Sequence, residues 1–470
     1  MGVIARIRGW IEMVLSVLVK EEFKINPIVS ADMENVIRRC ADIYAGNPEW
    51  VNEDDGIKTI NFAKAVCSDT ARLAMLGTSI NIDGSARAEW LQEQINAVYY
   101  NIREWIEYGC AYGTVVIKPD GDSIEVITPD RFIVTDIRNK EIVGAVFVYD
   151  ETSEDGKEYF TRLEWHRFDH GIYTITNKCY RSSGKNGKGH FIPIDKTPWR
   201  GMIEHSTIEN VEKPLFSVFR TPHANNVDIN SGFGLPIFWD ALEELKDLDI
   251  AYSRNAKEIY DSQRIVLLDS DRMMPGGGVP IKDTISNFES AKKQMGLPNI
   301  VKNVYGNGAD NFYQEINPAL NTDERLKGIN AFLSQNGYKI GFSNGYFVFN
   351  ESSGIQTATG VEADQQRTIQ FVKDVRDQVE KCMKGLLYAL DKYADMYDFT
   401  PVGVYDATFD FGDITYNREE DRARWYGYVV SGKIPFWYYL VKFEGFTEED
   451  AKAMEAEAKP KPGAIFGEEE

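Results

Sequence analysis

Across 470 residues, 73 acidic side chains outnumber 52 basic ones and leave a formal net charge of −21, which excludes the broad basic footprint of proteins that hold nucleic acid by counterion release. A hydrophobic content of 43% and an aromatic content of 12% exclude a disordered chain and supply core for about two to four domains. Five cysteines, Cys40, Cys67, Cys110, Cys179 and Cys382, are scattered without a CxxC pair, which argues against a disulfide framework or zinc module and makes a reducing cytoplasm the simplest place of synthesis.

The first 29 residues read as an N-terminal amphipathic arm. Ile4, Ile7, Ile11, Val14 or Leu15, and Leu18 share a helical stripe with Arg6, Arg8 and Glu12 off it. The apolar part is too short to span a membrane, and Lys20-Glu21-Glu22 follows where a signal peptide needs small residues. Docking on protein is the expectation. Helical periods then cover Met33 to Tyr44, Ile60 to Met75, and Trp90 to Ile106, the last closed by Gly109.

After Gly113 the period changes from helix to strand. Val115–Ile117, Ile124–Ile127, Phe132–Ile137, Ile142–Tyr149, Tyr159–Phe168, Ile172–Tyr180 and Phe191–Ile194 are short β-rich runs separated by turns, an antiparallel meander by expectation. Helices followed by consecutive strands give an α+β fold.

From Gly234 and Pro236 a helix is expected through Phe238, Ala241, Leu245, Leu248, Tyr252, Ala256 and Ile259. An insert follows, with a strand from Arg264 to Leu268, a glycine-rich turn at Met274-Pro275-Gly276-Gly277-Gly278 and a Ser286 to Met295 helix. Asn321 caps the next helix, carried by Leu326, Ile329, Phe332 or Leu333, and Ile340.

The longest periodic segment comes next. Ile369, Val372, Val375, Val379, Cys382, Leu386, Leu390, Tyr393 and Tyr397 mark one face of a single helix, expected to begin at a Thr359/Glu362 capping box and to bend at Gly385. At ~1.5 Å per residue it is about 55 to 60 Å long, more than one small domain needs. Directly before it, the polar Asn350-Glu351-Ser352-Ser353-Gly354 separates it from the apolar Tyr346–Phe349, a loop that two ordered elements can aim. Val404 to Phe411 then alternates as a strand. Three short helices are expected at Arg418 to Ser431, Pro435 to Phe443 and Glu448 to Lys459.

No catalytic, cofactor or metal motif emerges. Gly184 to Gly189 is followed by His190 where a phosphate loop requires Lys-Ser or Lys-Thr, so it reads as a hairpin tip. His166 and His170 flank Asp169, but their spacing on a strand lacks the closeness that a helix gives metal ligands.

Ile340-Gly341-Phe342-Ser343, Phe347-Val348-Phe349-Asn350 and Gly354-Ile355-Gln356-Thr357-Ala358-Thr359-Gly360-Val361 resemble the signature around the tunnel loop of the portal proteins of tailed bacteriophages, in particular the branch from long-tailed phages of Gram-positive hosts. Phe409-Asp410-Phe411-Gly412-Asp413, Val430-Ser431-Gly432-Lys433-Ile434 and Glu448-Glu449-Asp450-Ala451 are similar to a second part of the pattern. Gly360 stands where that family usually has Glu.

The resemblance covers most of the chain and implies a virion protein without enzymatic activity. It would be a homo-oligomeric ring of about twelve subunits, a dodecamer, at one capsid vertex. Through its channel double-stranded DNA is packaged and ejected, and the ring docks the terminase large subunit, the head-tail adaptor or connector, and the major capsid and scaffolding proteins, with assembly in the host cytoplasm. The implied regions are the arm at 1–29, an α+β wing at 30–235, a stem helix at 236–263, a clip at 264–319, a second stem helix at 320–342, the tunnel loop region at 343–357, the long kinked helix at 358–397, a wing strand return at 398–416, and a helical crown and tail at 417–470.

Asn350, Glu351, Ser352, Ser353, Gly354 and Gln356 would then face DNA, Lys327 and Lys339 would be channel phosphate contacts, Met274 to Gly278 would be the clip docking loop, and Gly360 and Gly385 would be helix hinges. A portal-like part of a defective prophage or gene-transfer particle is the alternative within the same class. A cytoplasmic α+β enzyme is the alternative outside it.

Overall fold

The computed structural model describes residues 19–25, 28–52, 54–121, 123–184, 189–261, 265–269, 300–304, 313–316, 321–349, 358–412, 418–444 and 446–458. The chain divides into two compact units, Met1–Asp410 and Phe411–Glu470.

The first unit opens on three helices, α1 (Ala31–Tyr44), α2 (Phe62–Ala74) and α3 (Ala86–Tyr112). Ser30 caps α1 by accepting from the Met33 amide at 3.3 Å. The apolar faces meet in one core that buries Val36, Val66, Leu91, Ile95 and Ile106. All five cysteines are buried and unpaired, as small apolar side chains commonly are. Helix α3 corrects one expectation, since Gly109 does not end it. That glycine leaves room for the Phe219 ring, and the helix runs on to stop at Gly113, where φ is 80°.

The expected single meander is two sheets. Strands β2 (Thr114–Asp120) and β3 (Ser123–Ile127) form a hairpin, and β10 (Ser217–Arg220) pairs with β2 antiparallel, Val218 opposite Val116. The meander proper is β4 (Phe132–Arg138), β5 (Glu141–Thr152), β6 (Tyr159–Asp169), β7 (Ile172–Ser182) and β8 (His190–Ile192), in that order, with β9 (His205–Glu209) also on β7. Strand β5 is buried on both faces. Ala145, Phe147 and Tyr149 join the main core, while Val146 and Val148 pack with Leu163, Tyr180 and Val19. The Phe23 ring lies 5.1 Å from that of Trp165. The described end of the amphipathic arm thus docks on protein, and residues 1–18 lie outside the described part. A further ribbon joins β1 (Ser79–Asp83) to β14 (Asp406–Asp410), Ser79 opposite Asp410.

A 3-10 turn at Trp239–Ala241 precedes α4 (Leu242–Asp261), so the helix expected from Gly234 begins later. Phe238, Ala241, Leu245 and Leu248 are buried as their spacing implies. Helix α5 (Thr322–Ile340) packs against α4. Glu258 pairs with Arg325 near one end and Glu244 with Lys339, at 2.6 Å, near the other, which sets the two helices antiparallel. Between them in sequence lies a sheet in which β11 (Ile265–Asp269) runs parallel to β12 (Ile300–Val304) and antiparallel to β13 (Tyr313–Ile316). The glycine-rich turn at 274–278 and the Ser286 to Met295 helix fall outside the described residues.

Helix α6 (Ala358–Tyr397) is continuous over 40 residues. Thr359 lies inside it, so the helix begins ahead of the expected capping box. Phe371, Val372, Val375, Val379, Leu386 and Leu390 are buried along one stripe.

The second unit contains α7 (Arg418–Val430), α8 (Phe436–Tyr439), a π turn at Leu440–Glu444, and α9 (Glu448–Ala458). Its own small core holds Tyr439, Leu440, Phe443 and Ala451. Trp425 stacks on Tyr438 at 5.8 Å, and Thr447 caps α9 by accepting from the Asp450 amide at 3.2 Å, as its acidic start implied.

Candidate functional site

The loop singled out by sequence, Asn350 to Gln356, lies outside the described residues, but both of its supports are described. On the entering side α5 ends at Gly341 with φ 124°, and a Cβ there would fall 2.8 Å from the Phe371 ring. Only glycine suits both the backbone and the contact. The chain turns there and inserts Phe342, fully buried, among Tyr346 at 4.9 Å, Phe347 at 4.8 Å and Phe371 at 5.5 Å. Phe347 also meets Phe62 of α2 edge-on at 5.0 Å. Offset and edge-on ring contacts of this kind add to the area they bury.

Polar bonds fix the same junction. The Ser343 amide donates to Thr368 Oγ1 at 2.8 Å and the Thr368 amide to Ser343 Oγ at 3.2 Å. The Phe349 amide donates to Asn330 Oδ1 and Asn330 Nδ2 donates to the Phe349 carbonyl, both at 2.9 Å. Across α5, Arg367 of α6 donates to the Tyr338 carbonyl at 2.8 Å and lies 4.0 Å over the Tyr338 ring. The last residue before the loop is therefore tied to α5, and Arg367 and Thr368, in the third turn of α6, tie that helix to α5 and to the junction.

Further along, α6 is clamped twice. Arg376, buried within the apolar stripe, donates to the carbonyls of Ala74, Leu73 and Leu76 at 3.0, 3.0 and 3.1 Å. A cation there satisfies carbonyls at the α2 C-terminus and favours its dipole. Arg87 of α3, 1% exposed, reaches the Asp391 carboxylate and carbonyl at 2.7 Å, the Asp395 carboxylate at 2.8 Å, and the Thr400 carbonyl at 2.9 Å. Gly385, expected as a hinge, sits within the unbroken helix where a Cβ would come 2.5 Å from Ser217 Oγ. Its lack of a side chain has a packing reason.

Behind α6 the β10–β2–β3 sheet and the six-stranded meander are joined by buried charge. Lys118 of β2 pairs with Glu164 of β6 at 2.8 Å, and Arg162 binds the second carboxylate oxygen at 2.5 Å. His166 Nε2 lies 2.6 Å from Glu164 and Nδ1 lies 2.7 Å from the Tyr173 hydroxyl, an arrangement satisfied by a neutral ring that donates to the carboxylate and accepts from the phenol. Burial pushes the Glu164 carboxyl up, yet Lys118, His166 and Arg162 together hold it well below its ordinary value. Burial likewise opposes the Lys118 charge, but Glu164, Tyr149 and Asp120 keep it well above the usual lysine range. Burial lowers His166 despite Glu164. His170 sits apart in the β6–β7 turn, 91% exposed and beside Asp169 at 2.5 Å, so the two histidines do not come together.

Of the expected site residues, Lys327 is exposed on α5 and Lys339 is engaged with Glu244. Gly360 is on α6, and Met274, Pro275, Gly276, Gly277 and Gly278 lie outside the described residues. Sequence reading missed Asn330, Arg87, Arg376 and the Lys118–Glu164 pair. A charge inside an apolar stripe, as at Arg376 between Val375 and Val379, is the available signal, because such a charge must find partners. Among the described residues no group of three His, Cys, Asp or Glu side chains is placed to hold a metal ion. No described helix is long and apolar enough to cross a membrane.

A family model described as phage portal protein, SPP1 Gp6-like, matches residues 57–461. No curated protein matches the chain.

Proposed function

Because the chain belongs to the phage portal protein family, SPP1 Gp6-like, we propose that this portal protein assembles as a ring of about twelve copies at one capsid vertex and passes double-stranded DNA through its centre. The match over residues 57–461 is the observation that carries the reading. The protein is structural. We assign it to long-tailed phages of Gram-positive hosts on the motif spanning Ile340 to Val361.

In this reading the α+β part up to about residue 235 is wing, α4 and α5 are stem, the insert between them is clip, and the second unit is crown. The clip, with its turn at Met274 to Gly278, docks the terminase large subunit and later the head-tail adaptor, while the wing and crown meet capsid and scaffolding proteins. Asn350, Ser352, Ser353 and Gln356 offer hydrogen bonds to phosphates without strong attraction, and Glu351 adds repulsion. Gly354 and Gly360 give the backbone freedom to shift. Copies of the loop around a ring sum weak contacts into a collar. Net negative charge suits a channel through which DNA slides, since tight counterion-releasing contacts would hold it back.

The pinned loop base supports this assignment: Phe349 is tied to α5 and Thr368 to Ser343, so a short loop between them has a fixed origin from which to reach its target. The test replaces Gly354 by Pro, or Ser352 and Ser353 by Leu, in a packaging reaction. Rings and procapsids should form while the length of DNA packaged or retained falls. Full-length packaging by these variants would reduce the loop to a connector.

A further inference from the structure

An open groove of about 790 Å3 runs between the β4–β5 turn, the approach to β10, and the middle of α6. Its walls carry five cations, Lys140, Lys213, Arg220, Lys381 and Lys384, against three acids, Glu141, Asp377 and Glu380. Two of the acids are already engaged, Glu141 by Lys381 at 2.7 Å and Glu380 by Lys384 at 2.6 Å. Lys140, Lys213 and Arg220 form no ion pair among the described residues, and Asp377 is the sole remaining acid of the lining.

Arg220 is the unusual member. It is half-buried at the end of β10, its Cγ lies where a side chain on Gly234 would come within 2.9 Å, and its guanidinium has no carboxylate partner among the described residues. Burial alone lowers its pKa, with no acid to offset it. A planar guanidinium fixed by its stem and left without an anion is suited to a bidentate carboxylate.

The rest of the molecule decides which anion. With 73 acidic and 52 basic residues, two copies brought side by side repel one another over about a Debye length, some 8–10 Å at moderate salt. Close association requires a local seat of opposite sign. A nucleic-acid site would need a continuous basic stripe for a run of phosphates, whereas this groove offers three cations, unpaired among the described residues, at one short seat. We propose that the groove seats a carboxylate-bearing segment of a second copy of this chain, so that Arg220, Lys140 and Lys213 form one side of the contact between neighbouring subunits. The assignment rests on the ring reading above and adds the residues that hold the ring together.

The experiment uses full-length assembled protein. Arg220→Gln with Lys140→Gln and Lys213→Gln should raise the protein concentration at which half of the rings dissociate at least tenfold by native mass spectrometry, and more salt should narrow the gap to wild type. Arg220→Lys should recover part of the loss, because charge returns without the fork. A photo-activated cross-linker at position 213 of otherwise unchanged protein covers the case of a misfolded triple variant. Cross-links between chains to peptides containing Asp or Glu support the proposal; exclusively intrachain cross-links, or cross-links to added DNA alone, overturn it. Variant rings as stable as wild type overturn the groove assignment and leave the portal reading intact, whereas wild-type protein that never assembles overturns both.

Discussion

Asn330 holds the backbone of Phe349 by both ends of its amide, donating to the carbonyl and accepting from the N–H at 2.9 Å each. It acts as a one-residue stand-in for a strand partner, at the last described position before the candidate loop. Asn330→Ala should cost about 1 kcal/mol, since the bonds are at the surface, but should release the segment locally. Limited proteolysis should cut between residues 345 and 357 several times faster than in wild type, with global unfolding nearly unchanged. Unaltered cleavage would show that the aromatic cluster alone fixes the loop base.

Arg87 gathers the end of α6 and the segment after it through one guanidinium. Arg87→Ala leaves two carboxylates and three backbone carbonyls, those of Asp391, Thr400 and Pro401, without this donor, and the expected loss is about 3 to 5 kcal/mol. Arg87→Lys should restore little, because a point charge cannot serve acceptors spread around a planar fork. Denaturant midpoints of the three proteins check this.

Acid should weaken the fold through the buried pair between the sheets. The folded pKa of His166 lies below its usual 6.5, so as pH falls below about 6.5 the unfolded chain takes up a proton that the folded chain refuses, and stability drops. Glu164, held well below 4.5, adds stability that is present above 4.5 and is lost as pH falls further toward its folded pKa. Both act in the same direction. Glu164→Gln should lose about 3 to 5 kcal/mol at neutral pH, since Lys118 and Arg162 lose their counter-charge, and should flatten the pH dependence below 4.5. A steep acid transition unchanged in this variant would place the cause elsewhere.

Helix faces and the meander were legible in the sequence because burial follows backbone period: the stripe from Val372 to Leu390 and the strands from Phe132 to Tyr180 carry their own pattern. What the sequence concealed depends on distant partners. Strand β10 is four residues long and becomes a strand through β2, about a hundred residues earlier, with Val218 opposite Val116. Strand β1 alternates well, but its partner is β14, more than three hundred residues away. The supports of the candidate loop were illegible for the same reason. Asn330 and Arg367 look like ordinary polar helix residues until the fold brings Phe349 and Tyr338 beside them, whereas the loop itself was readable as a polar interruption between apolar Tyr346–Phe349 and a long helix.

Gly385 provides a test of sign. In an exposed helix Gly→Ala gains about 1 kcal/mol, but here the new methyl would fall 2.5 Å from Ser217 Oγ, itself bonded to the Cys382 carbonyl at 2.6 Å. Gly385→Ala should therefore destabilise by about 1 to 3 kcal/mol, and adding Ser217→Gly should recover part of that loss. A stabilised single variant would show that α6 can lift away from β10 at little cost, the behaviour expected of a bend.

Electron microscopy of the purified full-length protein tests the central claim most directly. Family membership and the pinned loop before a 40-residue helix lead to ring-shaped particles with rotational symmetry and a central opening wide enough for a DNA duplex. Uniform single-chain particles without an opening, at concentrations where a portal assembles, would contradict it.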